Sequence, residues 1–196
     1  KVIFLSMSVL LLAYAAIFYA NPKRNGKGLE ALMYKIKISP QEAFKTKINK
    51  NDWKDFNDNY RSFENIITIK QVSLDGNRAI FFGKGLGSTL NLGQKIFTTD
   101  GSIIQYISVA HNGFMTVFLK SGILGVFLLV MFLIMLYRQK KSDIYLANNV
   151  NLLLIGTCVF LILSTWVFMG LYFKLDNKSL IIGFFLALKE KTIFEN

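Results

Sequence analysis

The sequence predicts a mainly α, polytopic membrane protein with three to four transmembrane helices and an external, largely helical loop domain of about 90 residues. Three observations carry that expectation. The composition is 53% hydrophobic and the mean hydropathy is +0.39, more apolar than a soluble chain of 196 residues needs to fill one core. Uncharged or nearly uncharged runs of bilayer length occur at the start and twice after residue 110. The net charge of +11 is spread through segments beside those runs, where anionic or phosphate-bearing lipid is the partner it suits.

Residues 1–20 form the first predicted transmembrane helix. Val2–Ala20 carries no charge, and its 19 residues, rising about 1.5 Å each, span roughly 28 Å, the thickness of the hydrocarbon core. A cleaved signal peptide is the competing reading, but a cut after Ala20 would need a small residue where Phe18 stands. Either reading leaves the following segment outside the cytoplasm. The chain opens on Lys1 rather than methionine and runs straight into this apolar segment, so a piece of a longer protein is expected.

The second span, 111–137, is apolar from Gly113 and interrupted only by Lys120, and the third, 150–173, carries no charge. The single cysteine, Cys158, lies within the third span and has no partner for an intrachain disulfide. Between the two spans, the connection 138–149 sets Arg138, Lys140 and Lys141 against Asp143, and a short basic loop stays cytoplasmic. The C-terminal stretch 174–196 contains only ten continuous apolar residues, 179–188, which suit a short tilted span, a re-entrant piece or an interfacial helix. With the basic loop inside, 21–110 lies outside, which excludes nucleic acid as a partner. The only histidine, His111, then sits at the outer boundary between water and lipid.

An external segment of that length needs secondary structure of its own. Residues 28–37 read as a short amphipathic helix, and Ser39-Pro40-Gln41-Glu42 reads as the start of another, with Ser39 as cap and Pro40 in the first turn. Trp53, Phe56, Tyr60, Phe63 and Ile67 recur at spacings of three and four, which predicts one helix over 51–71 with an aromatic face for the membrane or a neighbouring helix.

Four constellations bear on chemistry. Asp52, Asp55 and Asp58 share one side of that helix, but no glycine-turned cation loop accompanies them, and a solvated surface is the simpler meaning. "FFGKGLGST" fits neither the dinucleotide fingerprint nor the P-loop; its alternating glycines suit a tight external turn, or amides brought close to an anion. "NYRSFENI" places Arg61 and Glu64 one helical turn apart, either as an exposed ion pair or with Glu64 orienting a guanidinium toward phosphate. "HNGFMTVFLKSGILG" puts the lone imidazole ahead of Gly122 and Gly125, which admit close approach of a helix or lipid chain, while Lys120 must snorkel outward or meet an anion.

The spacing His111-Asn112, nine residues, Gly122, two residues, Gly125 resembles the C-terminal signature of the O-antigen ligase and O-antigen polymerase family of bacterial inner-membrane glycosyltransferases. "YRSFE" ahead of "GKGLG" is similar to the arginine-containing region and Gly-x-Gly turn that precede the histidine in many members. The likeness covers roughly residues 55 to 190, the C-terminal part of proteins that have ten or more spans. It implies a multi-pass protein of the bacterial inner membrane, with 21–110 in the periplasm. The implied reaction is transfer of a glycan from polyprenyl pyrophosphate to a sugar hydroxyl at the outer face, without metal or cofactor and alongside other polysaccharide-assembly proteins.

In that reading His111 is the general base, a role worth about 10²-fold to 10⁴-fold, and Arg61 grips the diphosphate. Arg78 and Lys84 stand behind Arg61, Asn112 holds the imidazole or a sugar oxygen, and Glu64 orients the guanidinium. Val126 stands where ligases often have threonine, and with the long aromatic loop this favours polymerase over ligase. The alternative outside enzymology is a non-catalytic membrane module that binds anionic lipid or polysaccharide.

Overall fold

α6, Gly113–Tyr137, and α7, Tyr145–Phe168, pack on one another in a computed structural model that describes residues 2–49, 51–97, 101–139, 142–172 and 177–194. Among the described residues the chain is mainly helical, and α6 and the 145–167 portion of α7 are long and apolar enough to cross a membrane. The chain divides into two units that meet in sequence between Phe63 and Glu64.

In the first unit, α1 (Val2–Ala20) packs on α2 (Leu29–Phe44). The Tyr14 hydroxyl donates to the Lys37 carbonyl at 3.1 Å, and the Lys37 ammonium lies 5.3 Å over the Phe18 ring. The expected helix start at Ser39 is overturned, because α2 runs straight through Pro40. Proline removes the amide that would bond the Ile36 carbonyl, and the Ser39 hydroxyl takes that carbonyl instead at 2.9 Å.

The expected single helix over 51–71 is also two: α3, Trp53–Asp58, and α4, Tyr60–Leu74. At the break, Asn59 (φ −120°, ψ 25°) has its side-chain amide on the Asp55 carbonyl at 2.9 Å, competing with the helix for that acceptor. Much of the aromatic face closes on itself: Phe56 meets Phe63 and Tyr60 edge-on at 4.8 and 5.5 Å.

The aspartates on this segment hold the chain together. Asp52 caps α3, accepting from the amides of Lys54 and Asp55. Asp55 pairs with Lys45, and that bond with the Asn49 amide holds its carboxyl below the usual range. Asp58 accepts from Arg24 at 2.7 Å and from the Tyr34 hydroxyl at 3.0 Å, with Lys35 at 3.5 Å. Burial pushes the Asp58 carboxyl up, but the bonds from Arg24 and Tyr34 outweigh it and hold the group low.

The second unit holds the rest of α4, then α5 (Asn77–Phe82), a β-hairpin, α6, α7, a 3-10 turn at Gly170–Tyr172 and α8 (Lys178–Phe194). The hairpin is an element the sequence reading did not expect in the largely helical segment 21–110. β1, Leu90–Phe97, pairs antiparallel with β2, Ile103–Ile107, in a register that runs Leu90 to Ile107 at one end and Phe97 to Ile103 at the other. Isoleucines populate both strands, and Gly93 at φ 70° sits in the register shift between Asn91 and Ile96. Gln71 of α4 clasps the entry to β1: its amide nitrogen donates to the Thr89 carbonyl and its oxygen accepts from Asn91, both at 2.9 Å.

α6 and α7 pack along a stripe of Val117, Leu129, Leu133 and Leu136 against Val150, Leu154, Cys158 and Leu161, with Ile182 of α8 added. Each such leucine, fully buried, contributes about 1.5–3 kcal/mol. α7 begins five residues before the expected 150, because Ala147 extends the buried stripe by one turn. It ends at Phe168, where Met169 and Gly170 take left-handed backbone at φ 65° and 54°. α8 is longer than the apolar run 179–188, and its last turns carry Lys189, Glu190 and Lys191. Lys140 and Lys141 of the basic connection, Phe173 at the end of the expected third span, and 174–176, 195 and 196 of the expected tail lie outside the described residues.

Candidate functional site

The site is built around two interruptions of helical structure, one inside α6 and one at its start. Inside α6, Gly122 has φ 64° and ψ −160°, so the helix is two pieces, 113–121 and 123–137. A break frees carbonyls that an unbroken helix would satisfy, a cost of several kcal/mol each in hydrocarbon. The glycine turn meets this demand: the Lys84 amide donates to the Leu119 carbonyl at 2.8 Å and the Gly85 amide to the Lys120 carbonyl at 3.1 Å. The fit leaves no room for a side chain, since a Cβ on Gly122 would stand 2.5 Å from the Phe81 carbonyl carbon and 2.6 Å from the Gly83 nitrogen.

This arrangement bears on three of the sequence expectations. The amides of the glycine turn cap a helix rather than approach an anion. The Lys120 ammonium reaches back to the turn, donating to the carbonyls of Leu86 and Ser88 at 2.7 and 3.1 Å. The approach admitted by Gly122 is that of the turn, while Gly125 and Ser121 line an apolar groove of about 460 Å³ along α6 with Val117, Leu124 and Leu128. Lys84, expected near phosphate, pairs with Asp75 at 2.5 Å, and Arg78 is exposed on α5.

At the start of α6, Asn112 is the N-cap, its side-chain oxygen accepting from the amides of Phe114 and Met115 at 3.0 and 3.3 Å. It is buried, so the expected hold on imidazole or sugar is replaced by a helix cap. Thr116 closes the corner by accepting from the Ala110 amide at 3.0 Å. Gly113 lets the end of α7 come close, because a Cβ there would stand 2.8 Å from the Met169 oxygen and from the Thr165 methyl.

His111 is held within this corner from three directions. Its carbonyl accepts from the Met169 amide at 2.9 Å, and its own amide donates to Glu64 Oε2 at 2.8 Å. The ring nitrogen Nδ1 lies 3.0 Å from both carboxylate oxygens of Glu64. The Glu64 side chain is 1% exposed, whereas that of His111 is 44% exposed. The Nδ1 edge therefore faces the carboxylate, and Nε2, on the far side of the ring, faces away from it.

Glu64 is thus not the orienter of the Arg61 guanidinium that the one-turn spacing suggests. Arg61 has Glu42 at 3.8 Å in the first unit. The link between Glu64 and His111 spans 47 positions and has no periodic signature. Its one sequence trace is a carboxylate set beside Phe63 on the aromatic face of α4, where a buried charge needs a partner. No group of three or more His, Cys, Asp or Glu side chains suited to a metal occurs among the described residues. Comparison with known proteins finds no family model that matches the chain and no significant match among curated proteins or solved structures.

Proposed function

We propose that the chain is part of a metal-independent membrane glycosyltransferase of the O-antigen polymerase kind, working at the outer face of a bacterial inner membrane. The observation that carries this reading is the pairing of a half-exposed His111 with a buried Glu64 at the head of an apolar helix of membrane length. Such a pair suits an imidazole that must accept a proton at the depth where a lipid-linked diphosphate presents its sugar. α1 and α8 add the third and fourth spans in this reading, with 21–110 on the outer side.

The chemistry is a displacement at the anomeric carbon. His111 Nε2 takes the proton of the acceptor hydroxyl as that oxygen forms the new glycosidic bond. The bond between the anomeric carbon and the phosphate oxygen breaks, and its electron pair leaves with the polyprenyl pyrophosphate. Arg61, one turn before Glu64 on α4, is the guanidinium proposed to stabilise the leaving diphosphate. The imidazolium formed beside the Glu64 carboxylate is stabilised until its proton is released.

The test is surface glycan in cells whose full-length protein carries His111→Ala or Arg61→Ala. The expected result is loss of polymer with normal membrane insertion of both variants; near-normal glycan in either would reject the role of that residue. If the acceptor recovered in the wild type is lipid A core rather than another lipid-linked glycan, the protein is a ligase with the same base.

A further inference from the structure

The mechanism above uses the ring of His111 and leaves open which nitrogen carries the proton before reaction. We infer that Glu64 is a positioning residue that locks His111 in the tautomer protonated on Nδ1, so that Nε2 holds the lone pair. This rests on His111 as the base of the proposed reaction, but its physical content is independent of any substrate.

A carboxylate as buried as Glu64 must be satisfied by donors, since an uncompensated buried charge is expensive. Among the described residues, the donors it meets come from one residue: the main-chain amide of His111 at 2.8 Å and Nδ1 at 3.0 Å. An ionised carboxylate only accepts, so Nδ1 must present a hydrogen to it. In a neutral ring the other nitrogen then has no hydrogen and is the basic one.

The ring also has little freedom to abandon this partner. The His111 carbonyl is tied to Met169 at the end of α7, and the next residue caps α6. Main chain and ring are thereby referenced to three helices, α4, α6 and α7. A purely structural role for Glu64, closing the His111 amide, accounts for the 2.8 Å bond and leaves the two 3.0 Å ring contacts unexplained.

Because His111 is the only histidine, labelling the full-length protein with ¹⁵N-histidine lets the ring be followed in detergent or nanodiscs above the imidazole's titration, provided the rest of the protein adds none. Where it does, subtraction of the His111→Ala spectrum isolates the signal. The wild type is expected to show Nδ1 protonated and Nε2 unprotonated. In Glu64→Gln, whose amide both donates and accepts, that preference is lost or reversed, and Glu64→Asp restores part of it. In a transfer assay Glu64→Gln lowers kcat by about 10²-fold to 10⁴-fold with little change in KM, the cost of a wrong tautomer at a general base.

A wild-type ring protonated on Nε2, or a tautomer unchanged in Glu64→Gln, overturns the inference. If the variant does not insert, the wild-type spectrum alone decides. A locked tautomer together with normal glycan in His111→Ala sinks the glycosyltransferase reading and leaves the lock standing. Loss of glycan in His111→Ala with a tautomer indifferent to Glu64 does the reverse.

Discussion

Asp58 and Glu64 lie two turns apart in sequence, and both carboxylates are paired, yet their partners differ in kind. Asp58, in the first unit, is surrounded by two cations, Arg24 and Lys35, and by the Tyr34 hydroxyl. Glu64, in the second unit, is paired with an imidazole, the side chain whose charge changes near neutrality. The first arrangement ties α3 to α2 and to the segment before it. The second leaves a half-exposed group able to exchange a proton. In the proposed function it is the kind of partner, not pairing alone, that sets Glu64 apart.

On the proposed function, the largest expected effect that separates the two is His111→Ala, which should lower transfer by about 10²-fold to 10⁴-fold while helical content by circular dichroism is unchanged. Asp58→Asn should leave transfer within a few-fold. Comparable losses of transfer in the two variants would erase the distinction.

Next comes Gly122→Ala, which probes the scaffold of the second unit. A left-handed φ costs an L-residue about 1–2 kcal/mol, and here the new methyl also meets the backbone of Phe81 and Gly83. With the turn displaced, the carbonyls of Leu119 and Lys120 lose their donors, so a fall in stability of roughly 3 kcal/mol or more is expected in thermal unfolding. Unchanged stability would mean that α6 closes into a continuous helix without the turn.

Acid should act on the first unit only well below the physiological range. Asp55 and Asp58 have folded values held below those of the unfolded chain, so the unfolded state binds more protons as pH falls. Their stabilisation is complete above the ordinary carboxylate value of about 4 and is lost as pH drops through the folded values. Asp58→Asn should lose about 1–3 kcal/mol near neutrality, the worth of hydrogen bonds to charged groups, and flatten the acid limb of a plot of melting temperature against pH. An unaltered acid limb would show that other groups govern it.

The smallest effects are expected at the two cations first placed near phosphate. Lys84 pairs with the exposed Asp75, an ion pair worth no more than about 1 kcal/mol, and Arg78 is exposed. Lys84→Met and Arg78→Ala should each leave transfer within a few-fold. A loss as deep as that of Arg61→Ala would return them to the diphosphate.

Much of the architecture was legible because it is local. An uncharged run of 19 residues and a 25-residue apolar helix announce themselves by length and composition, whereas the cap role of Asn112 does not. The position of the single histidine immediately before that helix needed no coordinates. Boundaries at Ser39, Asn59 and Val150 were misplaced because side-chain bonds and the burial stripe, rather than propensity, set them. The hairpin over 90–107 was missed because its pattern alternates weakly and is interrupted at Gly93.

What the sequence determined by itself is therefore the apolar helices and the placement of His111 at the head of α6, both consequences of neighbours within a few turns. Only the tertiary structure decided that α6 breaks at Gly122 and that Glu64 faces Nδ1 rather than Arg61. The break needs amides from a turn about 35 residues away, and the carboxylate needs donors 47 residues away. Buried polar groups must be satisfied by whatever the fold brings to them, and that choice has no period along the chain.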